Sequence, residues 1–299
     1  MYTQFFGTYL LSGGYVTPEQ LFSAMQRQAK EHIKLGTLAL HAGYMTAKQV
    51  DKTVIEQTHQ DRKFGELAIE LGYLTEEQVS ELLSHQTPSY LMIGQALLDD
   101  KILTNTSFEM ILNDYHTKNG IKDFQIPIET TDSVRKLFNH FYSALETPVT
   151  HNGDIYIELL LNDLIRFIGT DFSPLTIETV SDYAVNCCVK QSILGDYSAH
   201  TYITMDEQAA ISFASRYVKY SFNEYDEYVQ ASLEDFLNLQ NGLFTVNVSN
   251  DSSTELTLDP PEQLSKGILT FNTSTVHIPI LYPFGEIHFF IELFDLPEI

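Results

Sequence analysis

Asp235 and Asn238 lie three residues apart in the stretch DEYVQASLEDFLNLQNG. On a helix, residues i and i+3 are surface neighbours, so a carboxylate and a carboxamide at this spacing can act at one place. The helix itself is legible from its period. At 100° per residue, Tyr225, Val229, Leu233, Phe236 and Leu239 make one apolar face. Glu227, Ala231, Glu234 and Asn238 fall on the opposite face, with Asp235 at its edge. Ala231 is small enough to let another protein come close. The helix is predicted over 224–241, and Gly242 is expected to end it. Taken alone, such a pair is also what an ordinary solvated helix face carries.

The other candidates for chemistry are few. Cations stand at Lys34 and at Arg62-Lys63, ahead of glycines. The ten histidines are scattered and form no HxxxH or Cys/His ligand set, so the chain is expected to hold no metal of its own. There is no P-loop and no Gly-x-Ser-x-Gly elbow. Cys187 and Cys188 are adjacent and cannot form an unstrained disulfide. They read as packing residues in a core strand.

These residues need elements to position them, and 299 residues suffice for two domains. The net charge of −23 is unevenly spread. Residues 1–120 carry 9 basic and 14 acidic side chains, and residues 121–299 carry 8 and 26. Such a field repels nucleic acid and anionic membranes. It suits solubility, or a partner with a basic patch. No apolar run approaches the ~20 residues needed to cross a bilayer, so membrane insertion is not expected. The start, MYTQFFGTYLL, lacks the basic residues of a signal peptide, and a cytoplasmic location is expected.

The first third is an array. Gly7, Gly36, Gly65 and Gly94 lie 29 residues apart, and the phrases GYVTPEQL, GYMTAKQV and GYLTEEQV follow the first three. Each copy reads as helix, stop, helix. Gly14, Gly43 and Gly72 take the left-handed stop position. Thr17 with Gln20, Thr46 with Gln49 and Thr75 with Gln78 form capping boxes. Position +14 is Leu21, Val50, Val79 and Phe108. The fourth copy has Lys101 for the stop glycine and Ser107 in the box, as a terminal repeat would.

A linker is expected over 119–131, marked by Asn119-Gly120 and Pro127. A helix is predicted near 132–146. Beyond it, 179–194 and 196–205 read as paired strands turning at Gly195. Thr204 is expected to open a helix, with Glu207 in the box position. The runs LFTVNV, ILTFN, TVHIPILY and EIHFFIELF read as strands. The fold class is α+β: an N-terminal all-α helical repeat module (1–118) and a C-terminal domain (132–299) with a large, mostly antiparallel sheet.

Two families share these patterns. The 29-residue repeat resembles the MshEN domain of type II secretion and type IV pilus assembly ATPases, which binds cyclic di-GMP. The resemblance implies ligand contacts at Lys34, Leu35, Gly36, Gly43 and Gln57 in the second copy. In the third copy they fall at Lys63, Phe64, Gly65, Gly72 and Gln86. Lys34 and Lys63 stand where that family has arginine. The set Asp235, Asn238, Gly242 and Pro261 resembles the signature of the CheX and CheC class of chemotaxis phosphatases. That resemblance implies a CheX-like α/β fold that removes phosphate from a CheY-like response regulator. Asn238 would orient the attacking water and Asp235, in place of the family's Glu, would pair with the regulator's lysine. Mg2+ would come from the regulator. The implied partners are a CheY-like response regulator and cyclic di-GMP, with a homodimer left open. A non-catalytic adaptor that binds a regulator or a pilus or secretion component is the alternative.

Overall fold

The computed structural model describes residues 5–28, 32–84, 89–119, 151–196, 198–252 and 255–294. The chain divides into two compact units, residues 1–130 and 131–299. The helix expected over 132–146, the linker beyond Asn119 and the expected contact Gln86 lie outside the described residues.

The N-terminal unit is helical throughout its described residues. Its helices come in pairs: α1 (Phe5–Ser12) with α2 (Pro18–Gln28), α3 (Leu35–His41) with α4 (Ala47–His59), α5 (Phe64–Glu70) with α6 (Glu76–Ser84), and α7 (Ser89–Asp99) with α8 (Asn105–Asn119). The stop glycines Gly14, Gly43 and Gly72 adopt φ of 66°, 66° and 72°, where any side chain is strained. In the fourth copy Lys101 takes the same left-handed turn at φ 58°. The next helix then starts on a box. The Thr46 backbone N–H donates to Gln49 Oε1 at 2.8 Å, and the Gln49 N–H returns to the Thr46 hydroxyl. Thr17 with Gln20 and Thr75 with Gln78 repeat this. Ser107 replaces Gln in the fourth box and still accepts from the Thr104 N–H at 2.9 Å.

The 29-residue period has a packing cause. A methyl group placed on Gly36 would lie 3.0 Å from Val50, on Gly65 3.4 Å from Val79, and on Gly94 2.4 Å from Phe108. In the second, third and fourth copies the first glycine therefore receives the side chain fourteen residues later. Helix pairs approach closely at that glycine, and the apolar side chain fills the place of the missing Cβ.

The C-terminal unit begins with α9 (His151–Asp163) and a π turn over Leu164–Ile168. Strands β1 (Ser173–Pro174), β2 (Glu178–Val185), β3 (Cys187–Gly195) and β4 (Ser198–Met205) follow. Helices α10 (Glu207–Val218) and α11 (Glu227–Ser252) come next, then β5 (Leu256–Leu258), β6 (Glu262–Leu264), β7 (Gly267–Tyr282) and β8 (Gly285–Phe294). All pairings are antiparallel, in the order β1-β7-β8-β4-β3-β5. β2 also borders β7, and β6 borders β3. The α+β fold class of the sequence reading is the one observed.

The sheet has two buried faces. Val189, Ile193, Ala199, Ile203, Ile287, Phe289, Ile278 and Ile280 alternate onto the face that packs the helices, where Phe236 of α11 meets Phe289 at 6.2 Å. On the other face Val185, Cys188, Tyr202, Phe271 and Phe290 form a second core under the curl of β2 and β7. Cys188 lies inside it, and burial pushes its thiol up to about 12, as expected of an unreactive packing residue.

Four local expectations are corrected. The run 179–194 is two strands, not one: β2 leaves at Asn186 to pair with β7, and only β3 pairs with β4. The turn at Gly195 stands, at φ 132°, because a Cβ there would lie 2.1 Å from the Glu255 carbonyl oxygen. Thr204 does not open a helix; it belongs to β4, and Asp206 caps α10 by accepting from the Ala209 N–H at 2.7 Å. Gly242 does not end α11, which runs on to Ser252, so LFTVNV is helical. Finally, ILTFN and TVHIPILY are one continuous strand, β7.

Candidate functional site

Helix α11 is set by burial on one side. Val229, Leu233, Phe236 and Leu237 are fully buried, and Phe244 packs edge-on against Tyr156 of α9 at 5.3 Å. Asp226 starts it by accepting from the backbone N–H groups of Tyr228 and Val229 at 3.0 and 2.9 Å. This fixes the roll of the helix and turns Ala231, Asp235 and Asn238 outward, all exposed. Tyr225 and Leu239, expected on the apolar face, are half-buried, whereas Leu237 was not expected there and is buried.

The outward stripe is Ala231, Asp235, Asn238 and Gly242, spaced i, i+4, i+7 and i+11. Gly242 is helical, and a Cβ there would meet nothing within 4 Å. It thus costs the helix about 1 kcal/mol relative to alanine without relieving any contact in this chain. Small residues at both ends leave the polar pair accessible to a large partner.

Each member of the pair is held by one donor. The Tyr217 hydroxyl, from α10, donates to Asp235 Oδ2 at 2.7 Å. Burial raises the Tyr217 hydroxyl well above its ordinary value, and the Asp235 bond adds to it, so the phenol stays protonated and donating. Gln191 of β3 donates from Nε2 to Asn238 Oδ1 at 2.7 Å and to the Asp259 carbonyl at 2.8 Å. Its Oε1 accepts from Asn241 Nδ2 at 2.7 Å, and Asn241 Nδ2 also donates to the Thr201 hydroxyl at 2.7 Å. Pro261, the last member of the expected set, lies two residues beyond that carbonyl, between β5 and β6. Gln191 and Tyr217 were missed by sequence reasoning. The signal for Gln191 was a polar residue at a core-facing position of VKQSIL; Tyr217 offered none.

Asp235 also borders a groove of about 830 Å³ between α10 and α11, lined among others by Tyr220, Phe222, Tyr228 and Ala231. Asp163, the last residue of α9, is 4% exposed, and burial raises its carboxyl to about 6. No group of three or more His, Cys, Asp or Glu side chains fit to hold a metal occurs among the described residues. No described helix is long and apolar enough to cross a membrane.

In the N-terminal unit, Lys34, Leu35, Gly36, Gln57 and Phe64 come together on one pocket of about 810 Å³. Its remaining wall comes from the second copy, with Thr37, Val50, Asp51 and Val54, and from the fourth, including Gln95, Asp99, Lys101 and Asn105. Lys34 Nζ is paired with Asp99 at 2.5 Å, and the buried Gln95 accepts from the Lys34 N–H and the Thr37 hydroxyl. Gln57 donates to the Arg62 carbonyl at 3.1 Å. Gly43, Lys63, Gly65 and Gly72 do not line this pocket: Gly43 and Gly72 turn the chain, Gly65 packs under Val79, and Lys63 precedes α5. Arg62 is paired with Glu70 and lies 3.7 Å from Glu66.

No protein-family model matches the chain, and no curated protein matches it. Among solved structures it is similar to the chemotaxis protein CheX of Desulfovibrio desulfuricans, at 12% identity over 48% of this chain and 100% of that one, with a TM-score of 0.43. CheX of Vibrio vulnificus is similar at 16% identity, 48% and 100% coverage and a TM-score of 0.43. A chain of the CheX–CheY–BeF3–Mg2+ complex from Borrelia burgdorferi is similar at 16% identity, 50% and 100% coverage and a TM-score of 0.39. These similarities to CheX-like folds cover about half of the chain.

Proposed function

We propose that the C-terminal unit docks on a phosphorylated CheY-like response regulator and hydrolyses its aspartyl phosphate. The observation that carries this is the stripe on α11: an exposed carboxylate and carboxamide one turn apart, each anchored, between two residues without bulk. Phosphoryl transfer is mostly positioning and electrostatics, so two fixed side chains on an open face are enough for the catalyst's share. In the step, water attacks phosphorus and the bond from phosphorus to the aspartyl oxygen breaks. Inorganic phosphate leaves and the regulator's carboxylate is restored. Asn238 holds the water. Asp235 pairs with the regulator's lysine, and the Mg2+ belongs to the regulator. The regulator class follows from the signature Asp235, Asn238, Gly242 and Pro261.

The test is a phosphorylated receiver with Mg2+ and purified protein. Dephosphorylation faster than spontaneous decay is expected, and Asn238→Ala should abolish the excess. A decay rate unchanged by the protein would overturn the reading. Binding of the receiver without turnover would instead favour an adaptor, a reading supported by the Tyr217 hydroxyl already occupying Asp235.

For the N-terminal unit we propose cyclic di-GMP as the modulator, bound in the 810 Å³ pocket. Five of the ten expected contacts line it, which supports the reading. The ligand must displace Asp99 from Lys34 to enter. Titration calorimetry should show binding that Lys34→Ala abolishes; a flat titration of the parent chain refutes it.

A further inference from the structure

Gln191 lies at the centre of β3 on the helix-facing side of the sheet and is 1% exposed. Asn241 and Thr201, its neighbours, are 0% exposed. Three polar side chains are therefore placed where Val189, Ile193 and Ile203 show that apolar ones would pack. Burying polar groups has a cost that hydrogen bonds only offset. Gln191 links them to two exposed residues, through the Asp259 carbonyl and the Asn238 side chain.

The polarity of this chain of bonds is determined. The Asp259 carbonyl can only accept, so the Gln191 atom 2.8 Å from it is Nε2. Gln191 Oε1 then faces Asn241, which donates to it, and the second Nε2 hydrogen faces Asn238. The atom of Asn238 that points inward must accept, so it is Oδ1. Nδ2, the donor, faces the open surface.

We infer that Gln191 is the positioning residue of this site. It fixes the Asn238 carboxamide, which would otherwise turn freely on an exposed helix face, and presents Nδ2 outward. This deepens the phosphatase reading and rests on it. An outward donor has the polarity that phosphoryl transfer requires, because negative charge spreads over the phosphoryl oxygens as the bond breaks. It can also hold a water by one lone pair and leave the other for attack.

The test compares Gln191→Met, close in shape but without donors, with Asn238→Ala. Turnover of a phosphorylated receiver by Gln191→Met should fall about tenfold or more, with receiver affinity unchanged. In 15N relaxation measurements on the full chain, the order parameter of the Asn238 side-chain amide should drop. A parent-like order parameter overturns the inference whether or not the protein is a phosphatase. A parent-like rate in Gln191→Met beside an inactive Asn238→Ala overturns it as well. If Asn238→Ala itself keeps the parent rate, the phosphatase reading fails, and the order parameter still decides whether Gln191 holds Asn238. Gln191→Asn, one methylene shorter, carries the same comparison should Gln191→Met not fold.

Discussion

Acidification from pH 7 to pH 5 should destabilise the C-terminal unit through His288, and His288→Gln should remove that part of the sensitivity. His288 lies on β8 with its side chain 15% exposed. Its ring faces the Tyr183 hydroxyl at 3.1 Å, His277 Nε2 at 3.1 Å and Glu286 at 3.7 Å. Between the two imidazoles only one of the facing nitrogens can carry a proton, and a positive charge on His288 would lie buried against His277. Burial, aided by His277, lowers His288 to about 4. Unfolded, it titrates near 6.5. Between these values the unfolded state binds more protons, so stability falls as pH drops through the window. The loss from pH 7 to pH 5 comes to about 2 kcal/mol. Asp163 works the other way. Burial raises it to about 6, so the folded state takes up its proton first and gains about 1 kcal/mol over the same interval. Burial lowers His277 and His200 as well, so the parent's own pH curve sums all of these groups, and the variant is needed to isolate His288. Urea unfolding at pH 5, 6 and 7 can be followed by tyrosine fluorescence, since the chain has 17 Tyr and no Trp. The stability gap between parent and His288→Gln should shrink by about 2 kcal/mol between pH 7 and pH 5. A gap equal at both ends refutes the argument.

Two further outcomes follow from the repeat array. Gly94→Ala would drive a methyl group to 2.4 Å from Phe108 and should cost about 1–3 kcal/mol, partly restored by Phe108→Leu. Gly36→Ala, with 3.0 Å to Val50, should cost less, and the reverse order in thermal unfolding would contradict the packing account. Lys101→Gly relieves a left-handed residue at φ 58° and should gain about 0.5–1 kcal/mol in urea unfolding; a loss would contradict it.

What could be read from the sequence was local. A helix stop followed by a capped start is written in neighbouring residues, and Gly43, Thr46 and Gln49 do as their types demand. The outward placement of Asp235 and Asn238 followed from the period of α11. The failures are where tertiary packing overrode local preference. Phe244, Val246 and Val248 alternate with Thr245 and Asn247 as a strand would, yet Asn241, Phe244, Thr245 and Val248 also share one helical face. That face packs toward α9, while Leu243 and Val246 stay exposed. Helical continuation won because it buries the larger side chains. The pairing of β2 with β7 could not be seen because it joins segments some ninety residues apart. Tyr217 shows the same limit, since only the packing of α10 against α11 brings its hydroxyl to Asp235.

The sheet order bears on when each half of the molecule can acquire its shape during synthesis. The repeat unit makes its contacts among its own residues, from Gly36 with Val50 to Lys34 with Asp99, so it can settle once those residues have emerged and while the rest is still being translated. The sheet cannot. Its middle strand pair is β4 with β8, joining Ser198 to Phe294, and β8 also supplies the edge on which β7 lies. Until the ribosome has released residue 294, β4 lacks its full β8 partner and keeps an unpaired edge. The nascent chain is most prone to aggregation in that interval, and a helper that shields an extended edge would act there.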